Sequence, residues 1–271
     1  MRVGIGTIQR GRQTALGRQT CAISRLRDCE RHVVVSMDAA PPPLGGAELV
    51  HMPSPDGDAL PLAAARNRAI EALSDLDLIV MLDVDCIPDP KLLVRYADAR
   101  ALQPDGLFIG PVAYLGPTPE DRCEPTDEEL RAARLRPTKR DFPSADIAQE
   151  SRHELFWSLS FALSPETAQH IGGFDEAYRG YGGEDTDYGL RAETAGVGLW
   201  KVAGAWAYHQ HHGSVSPPTE HLGSIVVNAR RFRSRWGFWP MGGWLTQFAQ
   251  CGLIAWDPAG DTLTITFGRD G

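Results

Sequence analysis

The sequence is poor in cysteine, and its cysteines form no recognisable pair. There are five, an odd number, spread along the chain with no Cys-x-x-Cys spacing. Neither a disulfide framework nor a zinc knuckle is therefore indicated. Unpaired thiols are typical of a reducing compartment, so we expect a cytoplasmic protein.

Long apolar runs are also missing. No run is long enough to span a bilayer, and the first twenty residues carry four arginines without the apolar stretch of a signal peptide. Apolar residues make up 42% and charged residues 23% of the 271 residues, which is an ordinary globular composition for one large domain. We expect at most peripheral contact with a membrane.

Positive charge is scarce as well. The formal net charge is −8, whereas a general nucleic-acid binder needs a basic surface that displaces counterions from phosphate. We expect no nucleic-acid partner. A nucleotide remains possible, because one small basic pocket is enough to bind it.

The first half alternates short β-rich runs with helical patterns, which predicts an α/β fold with a mostly parallel sheet covered by helices on both faces. Ligands bind such sheets at the carboxyl ends of the strands. The predicted strands are 3–8, 32–37, 49–52, 78–82 and 107–114, and the predicted helices are 13–27, 62–73 and 91–102.

Residues 116–152 are polar and proline-rich, which predicts a flexible lid or insertion over one end of the sheet. Thr126 and Glu129 have the spacing of a capping box within it. Beyond it the patterns predict strands at 155–163, 199–208 and 262–267 and helices at 165–170 and 186–194. The basic and aromatic run 230–244 fits either a helix that packs its aromatics on the domain, which we favour, or an interfacial membrane anchor.

The buried strand 78–82 leads directly into two carboxylates, Asp83 and Asp85. Alternate residues of a strand face the same side, so the two would converge if the chain stayed extended. Carboxylate oxygens suit Mg²⁺ or Mn²⁺ carrying a diphosphate. A solvated turn before the prolines that follow would explain the same residues.

A glycine-rich run, 171–187, leads into Glu184, Asp185 and Asp187 at the start of a helix. The glycines leave room for a bulky ligand beside the first two carboxylates. For Asp187 we favour helix capping, because acidic side chains suit the amides of a first turn.

Histidines follow the later strand, in the run Ala207-Tyr-His-Gln-His-His212. Histidines at alternate strand positions share a face and are common ligands of transition metals. Arg66 and Asn67 lie on an alanine-rich helix, where they could bind phosphate and a base or sugar, or simply lie on an exposed face.

In this order, the elements resemble the GT-A glycosyltransferase superfamily, especially inverting enzymes of the bacterial chondroitin-polymerase and galactosyltransferase types. The resemblance implies a GT-A (Rossmann-like) fold with a C-terminal acceptor-side extension. It rests on Ala65-Arg-Asn67, Leu82-Asp-Val-Asp-Cys-Ile-Pro-Asp89, Phe156-Trp157, Gly172-Gly-Phe-Asp-Glu176, Gly183-Glu-Asp185 and Tyr208-His209.

On the donor side, the resemblance implies a nucleotide-sugar, with UDP as the expected nucleotide, and Mn²⁺ or Mg²⁺ as cofactor. Asp85 and His209 would ligate the metal, and Asp83 would contact the ribose or a metal-bound water. The residues that would contact the nucleotide are Thr7 at the end of the first strand, Asp38 after the second, Arg66 and Asn67.

On the acceptor side, the resemblance implies Asp185 as general base for a hydroxyl of a saccharide or small molecule. Glu184 would bind a sugar hydroxyl, with Trp157 and Gly183 beside it. Direct displacement would invert the anomeric centre. A single domain over 1–271 is expected, with a nucleotide-binding half at 1–115, the lid at 116–152 and an acceptor-side half with its extension at 153–271.

Two other functions remain open. A nucleotidyltransferase also combines carboxylates, metal and a nucleoside phosphate, but its phosphate loop should carry a lysine after the first strand, and no lysine precedes Lys91. The other is a non-catalytic sugar-binding relative of such an enzyme. The joint presence of both carboxylates and the histidine argues against that alternative.

Overall fold

The computed structural model describes residues 1–54, 59–119, 122, 124–136, 141–213 and 216–266. In chain order these residues form β1 (Val3–Gln9), α1 (Gln13–Ile23), β2 (Arg31–Ser36), β3 (Glu48–His51), α2 (Leu62–Ala72), β4 (Leu78–Leu82), β5 (Cys86–Pro88), α3 (Leu92–Leu102), β6 (Leu107–Ile109), β7 (Val112–Tyr114), α4 (Asp127–Arg134), β8 (Ile147–Glu150), β9 (Ser160–Leu163), α5 (Pro165–Ile171), α6 (Glu184–Thr194), β10 (Leu199–Val202), β11 (Ala207–His209), α7 (Leu222–Trp236), α8 (Gly242–Gln250), β12 (Ile254–Trp256) and β13 (Leu263–Ile265).

A large sheet has the order β3-β2-β1-β4-β9-β6-β10-β8. Its first four strands are parallel, β9 runs antiparallel to both of its neighbours, and β10 is parallel to β6. All of β4 is buried, with Leu78, Val80 and Leu82 in one apolar cluster and Ile79 and Met81 in another. Both faces of the sheet are therefore covered, which confirms the predicted α/β fold.

Two of the predicted strands are each interrupted. Run 107–114 divides into β6 and β7 at Gly110-Pro111, and run 199–208 divides into β10 and β11 around Gly204. A Cβ on Gly110 would lie 2.1 Å from the Ala205 carbonyl oxygen, and proline lacks the N–H that a ladder needs. The first halves join the large sheet, and β7 and β11 form a small sheet in the order β5-β11-β7.

Other element boundaries also differ from the prediction, including that of α1, which ends at Ile23 and not at residue 27. The expected strand 155–163 begins instead with a 3₁₀ turn, His153–Leu155, and only Ser160–Leu163 pairs in the sheet. The helix expected at 186–194 begins earlier, at Glu184, because Gly183 has a left-handed backbone (φ 94°) that begins the turn.

The described part of segment 116–152 packs on the domain. Helix α4 begins with the predicted capping box of Thr126 and Glu129, and Arg134 at its end contacts Asp89 and the Tyr208 hydroxyl. Strand β8 extends the large sheet through β10. Residues 120, 121, 123 and 137–140, which belong to the predicted lid, lie outside the described residues.

The C-terminal part forms its own apolar cluster from α7, α8 and the β12–β13 hairpin. In run 230–244, Arg231 pairs with Asp175 at 2.8 Å, and the Trp236 indole donates to Asp187 at 2.8 Å. These contacts favour the helix-packing interpretation of the run. Among the described helices, none combines the length and apolar character needed to cross a bilayer.

Candidate active site

Main-chain pairing brings Asp85 and His209 together. Strand β5 runs antiparallel to β11 with Cys86 opposite His209, and the Gln210 amide donates to the Asp85 carbonyl at 2.7 Å. The small sheet therefore places a carboxylate from the end of β4 beside histidines that follow much later in the chain.

The side chains of Asp85, His209 and His212 have the spacing of a metal site. Asp85 Oδ1 lies 3.4 Å from Nε2 of His209, and Oδ2 lies 3.2 Å from Nε2 of His212. Atoms that share one cation at about 2.1 Å lie about 3.0–3.4 Å apart. Asp85 Oδ1 is buried and makes no hydrogen bond within the described part of the chain. One carboxylate and two imidazoles thus fit a divalent ion such as Mn²⁺.

The contribution of His212 was not predicted. Alternation along a strand selects His209 and His211, but β11 ends at His209, and the face rule no longer applies beyond it. His212 reaches Asp85, whereas His211 lines the adjacent cleft. The sequence signal for this ligand was the presence of a third histidine, His212, in the run 207–212.

The extended chain on which the expected convergence of Asp83 and Asp85 depends does not continue past β4. The chain turns after β4, with the Cys86 amide donating to the Asp83 carbonyl at 2.8 Å, and Val84 is buried within this turn. Asp83 consequently contacts Arg66, and Asp85 contacts the histidines.

Arg66 is a buried cation among carboxylates. Its Nη1 donates to Glu184 Oε1 at 2.9 Å, and its Nη2 lies 3.5 Å from Asp83 Oδ1. Burial lowers the pKa of the guanidinium, but the charges of Asp83, Glu184 and Asp185 outweigh it and raise the pKa overall. Burial raises the pKa of the Asp83 carboxyl, and the positive charge of Arg66 opposes that rise.

Four carboxylates act electrostatically on the Tyr181 side chain. Burial raises the pKa of its phenol to about 12, and the charges that add to the rise come from Asp185, Asp83, Glu184 and Asp85. Carboxylates from the end of β4 and from the start of α6 thus act on the same phenol, and Arg66 contacts one of each, Asp83 and Glu184.

Asp185 and Asp187 have different surroundings in the first turn of α6. Asp185 is half-buried, and its Oδ1 accepts from the Thr186 amide at 2.7 Å. Asp187 is fully buried and accepts from the Trp236 indole at 2.8 Å. The capping role expected for Asp187 is therefore wrong, because its carboxylate binds α7.

A cleft of about 410 Å³ opens between the start of α1 and the Asp85 cluster. Arg12 and Arg18 line it, and the positive charge of Arg12 acts on both Asp85 and His212. A helix start with basic side chains suits a phosphate group. Sequence reasoning missed this site; the signal was the two arginines around the helix that follows the first strand.

Comparisons with known proteins agree with this geometry. A family model described as the N-terminal domain of galactosyltransferase matches residues 144–213. The chain is similar to validoxylamine A glucosyltransferase of Streptomyces hygroscopicus subsp. jinggangensis (strain 5008), with 25% identity over 187 residues, which is 63% of this chain and 44% of the relative. It is also similar to the hyaluronan synthase of Pasteurella multocida, with 28% identity over 173 residues, which is 55% of this chain and 17% of the relative. The chain thus spans less than half the length of either relative.

Among solved structures, the fold is similar to that of GalNAc-T7 with UDP, GalNAc and Mn²⁺. The TM-score is 0.58 at 12% identity, and the match covers 92% of this chain and 57% of that chain. A structural likeness at such low identity shows the fold alone. The chain thus has the GT-A fold, and its sequence is similar to those of known glycosyltransferases.

In this GT-A domain, the Asn67 amide is bonded to the glycine-rich loop. Its Nδ2 donates to the Phe174 carbonyl and to Glu176 Oε1, both at 2.9 Å, and its Oδ1 accepts from the Phe174 amide at 2.7 Å. These contacts position the loop that leads to α6. The predicted Trp157 side chain is 37% exposed.

Of the other donor-side residues of the GT-A domain, Asp38 follows β2 and accepts from the Gln9 amide at 2.8 Å and from the Gly11 amide at 2.9 Å. Thr7 does not end the first strand as expected, because β1 continues to Gln9. Thr7 is fully buried, and its hydroxyl contacts Gln19 and His32.

Proposed function

We propose that the chain is a metal-dependent, inverting glycosyltransferase, acting as one domain over residues 1–271. It would transfer a hexose or N-acetylhexosamine from UDP-sugar to a hydroxyl of a saccharide or small-molecule acceptor. The observation that carries the proposal is the separation of two acidic groups at one site: Asp85 lies within the histidine cluster, and Asp185 lies at the start of α6 outside it.

The donor would occupy the cleft beside α1. Asp85, His209 and His212 would hold Mn²⁺ or Mg²⁺, and Arg12 adds a positive charge near them. A bound cation neutralises the charge of the departing diphosphate. Asp38, which accepts from the Gly11 backbone amide in the loop after β1, would contact the nucleotide, and the UDP and Mn²⁺ in the GalNAc-T7 structure support this donor class.

Asp185 would act as general base. Its carboxylate would take the proton from the acceptor hydroxyl as the oxygen attacks the anomeric carbon, on the face opposite the diphosphate, which inverts that centre. Glu184 would orient the transferred sugar. Arg66 fixes Glu184 Oε1, while the buried Oε2 makes no hydrogen bond within the described residues and can accept one from a sugar hydroxyl.

The test compares Asp185→Asn with Asp85→Asn, and uses Glu193→Gln on the exposed side of the same helix as the matched control. Donor affinity is measured by calorimetry for UDP-glucose, UDP-galactose and their N-acetyl forms with Mn²⁺, and turnover by UDP release. We expect Asp185→Asn to keep the donor affinity and lose about a hundredfold or more in turnover, the usual contribution of a positioned base. Asp85→Asn should weaken metal and donor binding together, and Glu193→Gln should match the parent.

If Asp185→Asn abolishes donor binding instead, α6 is a binding element and the base lies elsewhere. Parent protein that binds a UDP-sugar with Mn²⁺ but never releases UDP in the presence of saccharide acceptors would contradict catalysis and favour a sugar-binding relative.

A further inference from the structure

The turn that carries Asp85 is bound from behind by a buried glutamine of α1. Gln19 is fully buried, and its Nε2 donates to the Asp83 carbonyl at 2.7 Å and to the Cys86 carbonyl at 2.8 Å. These carbonyls flank Asp85 on either side. One amide therefore uses both of its hydrogens to fix the two ends of the turn.

The orientation of that amide is fixed in turn by two further buried residues. The Thr7 hydroxyl donates its hydrogen to Gln19 Oε1 at 3.0 Å. The oxygen of the same Thr7 hydroxyl therefore accepts from Nε2 of His32 at 3.2 Å. Burial lowers the pKa of His32 to about 4, so the ring is neutral near pH 7 and its single proton lies on Nε2. The hydrogen bonds therefore run in one direction, from His32 on β2 to Thr7 on β1, then to Gln19 on α1. Gln19 in turn donates to the carbonyls of the Asp83–Cys86 turn.

Helix α1 is also attached to the histidine segment. Gln210, between His209 and His212, is 3% exposed, and its Nε2 donates to the Ala15 carbonyl at 3.0 Å. Leu16 belongs to the same apolar cluster as Val84 of the turn. The helix thus contacts both parts of the Asp85 cluster through buried groups.

We propose that Gln19 is a positioning residue that sets the affinity of the metal site by fixing the Asp83–Cys86 turn, with Thr7 and His32 orienting its amide. The inference rests on the metal site of the proposed function. Under this inference, the role of the buried Thr7 is to orient the Gln19 amide, and not to contact the nucleotide. Groups that orient metal ligands typically contribute about 10- to 100-fold to metal affinity.

The test measures Mn²⁺ binding alone, without nucleotide, by calorimetry, and the thermal midpoint of the metal-free protein. Gln19→Met keeps the length of the side chain and removes its hydrogen bonds. The control is Asn228→Leu, because Asn228 is also buried and donates to two carbonyls, those of Arg179 at 2.9 Å and Tyr181 at 3.3 Å, neither of which belongs to the Asp83–Cys86 turn.

We expect Gln19→Met to weaken Mn²⁺ binding about 10- to 100-fold, whereas Asn228→Leu should lower the thermal midpoint and leave Mn²⁺ affinity unchanged. Thr7→Val should weaken binding in the same direction, and Thr7→Ser, which keeps the hydroxyl, should match the parent. The Thr7 pair decides the question if Gln19→Met does not fold.

Parent-like Mn²⁺ affinity in Gln19→Met, or equal affinity in Thr7→Val and Thr7→Ser, overturns the inference and leaves the metal site standing. A parent protein that does not bind Mn²⁺ overturns the metal site itself, and the positioning role with it.

Discussion

Replacing Arg66 with methionine should lower the free energy of unfolding by about 3–5 kcal/mol, the usual cost of leaving one partner of a buried ion pair alone. The Arg66 side chain is 6% exposed and that of Glu184 is 8% exposed, and the two are 2.9 Å apart. Without the guanidinium, the buried Glu184 carboxylate would lose its charged partner while little water surrounds it. Methionine fills much of the same space, so the loss reports the charge and not a cavity.

A double-mutant cycle with Glu184→Gln separates this pair from other effects. The double variant should be more stable than the sum of the two single losses predicts, by about 1–3 kcal/mol, because neither charge is then left alone. Arg68→Met is the matched control, since Arg68 forms an exposed pair with Glu71 on the same helix at 2.8 Å, and such pairs contribute at most about 1 kcal/mol.

Urea denaturation at pH 7 without metal, followed by circular dichroism, measures the parent and the four variants. A loss in Arg66→Met no larger than that in Arg68→Met, or strictly additive losses in the cycle, would refute the assignment of Arg66 as the cation that stabilises this acidic region.

Three further perturbations test the fold around the site. Gly110→Ala should destabilise the protein by about 1–3 kcal/mol or more, because the new Cβ would meet a backbone oxygen at 2.1 Å. Gly116→Ala is the control and should leave the stability unchanged, because the space around Gly116 is open. Equal thermal midpoints of the two variants would contradict the prediction. Burial lowers the pKa of His32 from 6.5 to about 4, so the unfolded chain takes up a proton first and stability falls as pH drops through that window, by up to about 3 kcal/mol. His32→Gln should show a shallower fall in a denaturation series over the same pH range, and an unchanged slope would count against it. Asp187→Ala should cost about 1.5–3 kcal/mol in chemical denaturation by removing the charged acceptor of the Trp236 indole, and a parent-like midpoint would show that this bond is unimportant.

Local pattern was sufficient to predict most elements and the main features of the site. Apolar runs predicted β1, β2, β4 and α2 to within one or two residues, and the capping box predicted the start of α4, because these features follow from local preference and burial. The strand ends indicated two carboxylates and a histidine cluster, the family resemblance singled out Asp85 and His209 among them, and the structure brings these two together.

The remainder depended on contacts that a single sequence does not display. Sequence patterning cannot show that the backbone at Gly110, after β6, lies against the backbone at Ala205, after β10. The runs 107–114 and 199–208 were therefore each predicted as one continuous strand. His212 could be identified only once the end of β11 was known. The bonds of Asn67 and Asp187 depend on a loop and a helix distant in sequence, which the local pattern around each residue does not reveal.

The distance between Asp85 and His209 is set by the ladder between β5 and β11, and not by the chain that connects these strands. The connecting chain leaves the small sheet and returns to it, so changes in its length need not alter the register of Cys86 with His209. Changes of length between α4 and β8 are compatible with a constant ladder, provided that Arg134 keeps its contacts with Asp89 and Tyr208. The groups proposed to bind the cation can thus keep their spacing while the sequence of the connecting chain changes.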